Sequence, residues 1–259
     1  MVTQIIITVV VTAIWVGLLA FFYWGCERGV EKPRLVGTFG ILGLLLAVSG
    51  EYYGLFVAPP ESAMGDVYRI FYVHVPADWM AFMALSLNFV FSVAFLFKKN
   101  WRMDSLAEAS AEAGLVFGIM GVCTGSIWAR PTWGTWWTWD PRLTTAAVLL
   151  IAYGGYLALR RFVDDPEKRG VWSAVWAIFA AVDLPLVWFS VKFWRSIHQT
   201  QSTPETIRDP RMQWSLRWNA FAFLFLLIFF VMSRYRISRL ARETEMAPPP
   251  EALPVGGHA

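Results

Sequence analysis

The chain has 259 residues, of which 57% are hydrophobic and only 16% are charged. Ordinary soluble domains carry roughly a quarter charged residues, and a water-soluble fold of this size could not hide so much apolar surface. The composition therefore excludes a soluble globular enzyme, a disordered chain, a collagen-like chain and a disulfide scaffold. The net charge of +3 is small, so nothing in the composition indicates a nucleic-acid partner.

Seven apolar stretches each come close to the roughly 20 residues that a helix needs to cross a membrane. They cover residues 5–24, 36–57, 72–97, 106–127, 143–162, 171–191 and 216–233. Backbone groups in lipid must be satisfied internally, and alternation at period 2 is absent, so the stretches predict helices rather than barrel strands. The predicted fold class is all-α: a polytopic integral membrane bundle of about seven transmembrane helices.

The first stretch could be mistaken for a signal peptide, but it has no positive n-region and no clear small-residue cleavage site. We therefore predict a retained helix. The two cysteines, Cys26 and Cys123, fall near opposite faces of the predicted bundle, too far apart for a disulfide. We expect both to be buried small apolar residues.

The distribution of Lys and Arg predicts the orientation of the chain. Fourteen of these twenty-two residues lie in segments 25–35, 98–105, 160–170 and the tail after 233. By the positive-inside rule, these segments and the C-terminus are cytoplasmic. The N-terminus and the connections 58–71, 128–142 and 192–215 then lie outside, in the periplasm of a bacterium. The tail, residues 236–259, is expected to be disordered.

The outer connection 128–142 reads WARPTWGTWWTWDPR and holds five of the fifteen tryptophans: Trp128, Trp133, Trp136, Trp137 and Trp139. Tryptophans often form belts at membrane interfaces, which is one explanation. A belt spreads over many helix ends, however, whereas this run is dense and interrupted by Pro131, Gly134 and Pro141. We therefore predict an aromatic shelf on irregular backbone, suited to a flat, rigid, apolar ligand.

Two of the three histidines lie at the predicted outer edge of the membrane. His74 begins the third apolar stretch, His198 follows the sixth, and His258 is in the tail. A histidine at a helix end is often only structural. Two histidines brought to one face beside the tryptophans could instead supply opposite axial ligands to a haem iron. Zinc and copper fit less well, because no thiolates are available on that face.

Charged residues near this face are further candidates for contact with haem. Asp140 and Arg142 could form a local salt bridge, but the guanidinium of Arg142, like that of Arg69, could instead pair with a haem propionate. Asp183 and Glu51 fall inside predicted spans, where they act either as proton or counter-charge sites or as polar contacts between helices.

There is no GxxxxGK[ST] motif, so the chain is not expected to hydrolyse ATP by itself.

The run WGTWWTWDPRLT, Trp133 to Thr144, resembles the tryptophan-rich signature of the WWD family, the haem-handling membrane proteins of cytochrome c biogenesis. Together with YRIFYVHVPADWM and WRSIHQ, it is similar to the CcmC-like members of the system I pathway. The resemblance covers roughly residues 36–235. It carries the signature onto six positions: Trp133, Trp136, Trp137, Trp139, Asp140 and Arg142.

The resemblance implies a protein of the bacterial inner membrane that binds haem b at the periplasmic face between His74 and His198, with no enzymatic activity of its own. It implies transfer of the haem to a histidine of the chaperone CcmE, within a complex that includes CcmA, CcmB and CcmD. CcmC-like proteins typically have six spans, so residues 1–35 are predicted to be an extra helix and loop. A haem channel, a direct haem lyase and an assembly scaffold are the alternatives.

Overall fold

The computed structural model describes residues 2–198, 207 and 209–246. These described residues form eight α-helices and one short 3₁₀ helix at Asp66–Ile70, which precedes α3. The α-helices are α1 Val2–Glu31, α2 Pro33–Phe56, α3 Phe71–Lys98, α4 Trp101–Trp133, α5 Pro141–Phe162, α6 Pro166–Ala181, α7 Asp183–Phe193 and α8 Pro210–Met246.

The all-α membrane fold is confirmed. Over the described part of the chain, six helical segments are long and apolar enough to cross a membrane. They are α2, α3 with its 3₁₀ turn, α4, α5, the α6–α7 pair and α8. The first predicted stretch lies within α1, and its crossing of the membrane stays a prediction. The chain is thus a multi-pass membrane protein.

The tightest helix pair, α3 with α4, is antiparallel and built on a stripe of glycines. Gly114 faces Leu85, Gly121 faces Asp78, and Gly125 faces His74. A Cβ at each of these glycines would come within 3.0 Å of the facing side chain. The helices therefore approach more closely than larger residues would permit, as is common where membrane helices pack.

The other helices pack on both sides of this pair. On one side α8 lies along α2, where Gly43 accommodates Leu226, and α1 adds Phe22 and Cys26 to the same buried core. On the other side a second core, around Tyr153 and Tyr156 of α5, joins α3 and α4 to α6 and α7.

Three predicted boundaries need correction. The sixth stretch is two helices, because α6 ends at Ala181 just ahead of Pro185, which cannot continue the hydrogen-bonding pattern. Helix α4 runs past residue 127 to Trp133, where Gly134 ends it with a φ of 78°. The tail is helical rather than disordered as far as Met246, because Arg242 is anchored on Asp104. Residues 247–259, including His258, lie outside the described residues.

Both cysteines are free, as predicted, but only Cys26 is buried. Cys123 is exposed, so the expectation of a buried residue was wrong there. It lies two residues from Gly121, and residues two apart on a helix point in nearly opposite directions. Since Gly121 faces α3, Cys123 faces away from the bundle.

Charged side chains hold the helices together at the end of the bundle where α4 begins and α5 ends. We call this the basic end; its buried members are Asp104, Arg160 and Arg242. The guanidinium of Arg160 donates to both carboxylate oxygens of Asp104, at 2.8 and 3.0 Å, and to Glu108 at 2.9 Å. Arg242 of α8 also pairs with Asp104 and lies 4.1 Å over the ring of Trp101.

Candidate functional site

The opposite end of the bundle gathers the residues that the sequence singled out. Here α3 begins, α4 ends, α5 begins, and the chain leaves α7 towards residue 198. We call this the aromatic end, defined by His74, Trp128, Trp133, Asp140 and His198. The two histidines, 124 positions apart in the sequence, therefore lie at the same end of the bundle.

His74 is buried between α3 and α4, with only 7% of its surface exposed. Its Nδ1 lies 3.0 Å from the carbonyl oxygen of Gly121 and 3.2 Å from Oγ1 of Thr124. A carbonyl can only accept, so this contact requires the proton on Nδ1. In the neutral imidazole the lone pair is then on Nε2, the arrangement that metal-binding histidines adopt. The Nε2 atom lies 3.6 Å from a carboxylate oxygen of Asp78.

The glycines of α4 make the space for this histidine. A Cβ added at Gly125 would lie 2.9 Å from Cε1 of His74, and one added at Gly121 would lie 2.0 Å from the Asp78 carboxylate. Any larger residue at either position would push the facing side chain away. The two glycines thus fix the positions of His74 and Asp78 against α4.

Trp128 packs on the other side of His74. The two rings are 5.7 Å apart and nearly perpendicular, and Trp128 also contacts Tyr68 and Phe71 edge-to-face. The Nε1 atom of Trp128 is buried and has no hydrogen-bond partner among the residues that the structure describes. Buried indole N–H groups usually find an acceptor, so this one is an exception among the described residues.

His198 lies beside Trp133, with ring centroids 6.0 Å apart and an angle of 64° between the planes. Trp133 is the last residue of α4, five positions after Trp128. Two positions five apart are separated by about 7.5 Å along a helix. The two predicted ligands therefore each contact an indole in the last two turns of the same helix.

The other tryptophans of the run lie on the loop that follows α4. Trp136 is 56% and Trp139 78% exposed, while Trp137 is half-buried with its ring 5.8 Å from that of Trp139. Ser126 of α4 holds the loop by donating a 2.8 Å hydrogen bond to the Trp136 carbonyl. The predicted shelf is thus divided: Trp128 and Trp133 are helical, and three indoles lie on irregular backbone.

Asp140 and Arg142 do not form a simple salt bridge in the described structure. The Asp140 carboxylate caps α5 by accepting from the Arg142 backbone N–H at 3.1 Å. It also accepts from Ser196 Oγ at 2.8 Å and from the Ile197 N–H at 2.9 Å. The Arg142 guanidinium lies 3.4 Å from the Val187 carbonyl and interacts electrostatically with Asp78 and Asp140.

Arg69 lies on the 3₁₀ turn before α3, where its guanidinium binds backbone. It donates to the carbonyls of Gly54 and Ala58, at 2.6 and 2.9 Å, and to Asp66 at 2.8 Å. Arg69 thus connects the end of α2 to the start of α3. Its predicted contact with a propionate stays a prediction.

The two intramembrane carboxylates lie apart from the aromatic end's contacts. Glu51 of α2 and Asp183 of α7 each have a buried carboxylate oxygen without a partner among the described side and main chains. Both side chains are half-buried. Neither proton transfer nor an interhelical contact is assigned to them by the structure.

Sequence reasoning missed several residues that shape the site: Asp78, Gly121, Thr124, Gly125 and Ser196. The pair Gly121 and Gly125 has the G-x-x-x-G spacing that allows close helix packing, which could have marked the α4 face opposite His74. Asp78 follows His74 by one helical turn, a spacing that also places it on the same face. Nothing in the sequence indicated Ser196.

Together the fold and the site define a polytopic helical membrane protein with a tryptophan- and histidine-rich site at one end of its bundle. The family model described as "Heme exporter protein C", CcmC, matches residues 30–248. The chain belongs to this family.

Several relatives agree with the family match. The "Heme exporter protein C" of Escherichia coli K12 is 36% identical over 199 residues, which cover 76% of this chain and 80% of the relative. That of Haemophilus influenzae is 34% identical over 82% of this chain and 87% of its own length. A "putative cytochrome c biosynthesis ccmC-like mitochondrial protein" of Marchantia polymorpha is 31% identical, over 73% of this chain and 78% of its own.

Proposed function

We propose that this protein exports haem for cytochrome c maturation, holding haem b between His74 and His198 at the periplasmic face of the bacterial inner membrane. It then hands the haem to the chaperone CcmE, in a complex with CcmA, CcmB and CcmD. Family membership supports the haem-export role, since the relatives carry that name. Haem is cargo here rather than a permanent cofactor, and the protein itself acts as a carrier and not as an enzyme.

One observation carries the proposal. Two histidines far apart in the sequence each pack against an indole in the last two turns of α4. Two residues at one end of a bundle can share a ligand, and two imidazoles suit the two axial positions of haem iron. The Gly121 carbonyl supports this role, because accepting from Nδ1 leaves Nε2, 3.6 Å from Asp78, as the nitrogen that could coordinate iron.

The surrounding residues fit a porphyrin. The exposed rings of Trp136 and Trp139, beside half-buried Trp133 and Trp137, offer the flat apolar surface that a macrocycle requires. The buried Trp128 N–H lacks an acceptor among the described residues. Arg142 is the cation that we expect to pair with a propionate: its guanidinium lies 3.4 Å from the Val187 carbonyl and interacts electrostatically with Asp78 and Asp140.

Two histidine ligands also suit a carrier. Imidazoles at both axial positions leave no open coordination site for O₂, while the porphyrin edge stays accessible for attachment to the chaperone's histidine. The protein's own contributions are binding, orientation and exclusion of side reactions.

The absorption spectrum of the purified protein tests the proposal. We expect wild type to carry haem b, and His74→Ala and His198→Ala each to lose it or to change its spectrum. His258→Ala is the matched control, because it removes the third histidine of the chain, which is not one of the two proposed ligands. A wild type without haem, or equal spectra for all four proteins, would show the proposal to be wrong.

Transfer is tested separately by co-expression with CcmE. Haem-dependent staining of the denatured chaperone reports covalent attachment, and we expect the two site variants to abolish it. Staining that survives in both variants would contradict delivery through this site.

A further inference from the structure

We propose that Asp140 is a positioning residue: its carboxylate holds the segment 195–198 against the start of α5 and so sets the place of the His198 ring. The inference rests on the proposed function for its consequence at haem. We call the hydrogen bonds between Asp140 and this segment the clamp, and they are present in the protein without haem.

Both carboxylate oxygens of Asp140 are engaged by the protein. One accepts from the Ile197 N–H at 2.9 Å, and the other accepts from the Ser196 hydroxyl at 2.8 Å and from the Arg142 N–H at 3.1 Å. The residue is buried, with 8% of its surface exposed. Hydrogen bonds to a buried charged acceptor are among the stronger ones in proteins. The carboxylate is thus directed at the polypeptide.

Ser196 carries the connection on to the histidine. Its hydroxyl donates to Asp140 and accepts from the His198 backbone N–H at 3.0 Å. Two consecutive backbone amides, those of Ile197 and His198, are therefore fixed directly or through one hydroxyl by Asp140. The segment lies between the end of α7 and His198 and is not helical, so these bonds fix its backbone in place of a helix.

The clamp also joins the two parts of the site. Asp140 ends the tryptophan-bearing loop and begins α5, and the segment that it holds places His198 beside Trp133. Losing the clamp would loosen the backbone that carries the imidazole. A residue that orients a metal ligand in this way typically changes metal affinity by about 10- to 100-fold when it is lost.

The experiment uses three variants of the full chain. Asp140→Asn keeps the shape of the side chain but removes one acceptor, and Ser196→Ala removes the connection to His198 while the Asp140 cap of α5 remains. The control is Asp165→Asn, because Asp165 caps α6 through the Glu167 and Lys168 N–H groups, as Asp140 caps α5, without contacting a histidine segment.

The first measurement is amide hydrogen exchange at Ile197 and His198 in haem-free protein. We expect about tenfold or faster exchange at both amides in Asp140→Asn and at His198 in Ser196→Ala, and no change in Asp165→Asn. Unchanged exchange at both amides in both site variants would overturn the inference, whatever happens to haem.

The second measurement is haem retention and the spectrum of the haem that stays bound. We expect about tenfold weaker retention in both site variants, with a spectrum shifted towards that of His198→Ala. Wild-type retention in both, while His198→Ala loses haem, would overturn the positioning role. If His198→Ala itself behaves as wild type, the proposed function fails at His198, and the exchange measurement still decides whether Asp140 holds the segment.

Discussion

The two ends of the bundle use their polar side chains differently. At the basic end, charged side chains bind one another: Arg160 to Asp104 and Glu108, and Arg234 to Glu112. At the aromatic end they bind mainly backbone, as Asp140 does at Ile197 and as Arg69 does at Gly54 and Ala58. One end joins helices by side-chain ion pairs, whereas the other fixes the loops and helix ends that surround the histidines.

The basic end is built for stability, whereas the aromatic end is built for binding a ligand. Buried ion pairs connect α4, α5 and α8 at the basic end. The aromatic end instead leaves large indole surfaces exposed, at Trp136 and Trp139, and binds Nδ1 of His74 to a backbone carbonyl. Substitutions at the basic end should therefore mainly lower the stability of the fold, and substitutions at the aromatic end should mainly weaken haem binding.

The largest expected effect is at the basic end. Arg160→Ala leaves the buried carboxylate of Asp104 with Arg242 as its remaining partner, and breaking such a pair costs about 3–5 kcal/mol. Thermal unfolding in detergent measures the loss. Arg161→Ala is the matched control, because Arg161 is exposed. Equal unfolding temperatures for the two variants would mean that the network does not stabilise the fold.

Gly125→Ala tests the space beside His74. The new methyl group would lie 2.9 Å from the imidazole, and overpacking of this kind typically costs about 1–3 kcal/mol. We expect a lower unfolding temperature together with weaker haem retention. Gly154→Ala, where nothing lies within 4 Å, should be neutral or slightly stabilising. Full haem retention in Gly125→Ala would show that the position of His74 does not matter.

Arg69→Lys separates the two roles considered for Arg69. A lysine keeps the charge but cannot bridge the Gly54 and Ala58 carbonyls as a guanidinium does, so we expect a loss of about 1 kcal/mol in stability. Chemical denaturation measures it. Unchanged stability together with weakened haem retention would instead favour the predicted propionate contact.

The smallest effect on stability is expected for Trp139→Ala. The side chain is 78% exposed, so stability should change by no more than about 0.5 kcal/mol. Haem retention should fall several-fold, because an aromatic contact contributes about 0.5–1.5 kcal/mol. Trp172→Ala removes an exposed indole of α6, away from the site, and should leave retention unchanged. Equal retention in both variants would contradict the shelf.

Much of the fold was predictable, because apolar length directly reports membrane helices. Six predicted stretches correspond to helical segments long enough to cross, although proline and glycine placed their ends differently. The end of α4 was misjudged because Pro131 lies in the last turn of the helix, where a lost hydrogen bond disrupts little. The extent of α8 depended on the contact between Arg242 and Asp104, which the local sequence does not contain.

The site was predictable in its residue types but not in its contacts. Rare histidines and a dense tryptophan run drew attention to residues that the structure places at one end of the bundle. The part played by Asp140 depends on Ser196 and Ile197, more than fifty positions away, and the place of His74 depends on glycines of another helix. Such long-range contacts follow from packing rather than from periodicity.

The most direct test of the central claim is the electron paramagnetic resonance spectrum of the ferric haem-loaded protein. Our account predicts a low-spin signal of two nitrogen ligands in wild type, which His74→Ala and His198→Ala each convert to high-spin or abolish. A low-spin signal that is identical in wild type and in either variant would contradict a haem held between these two histidines.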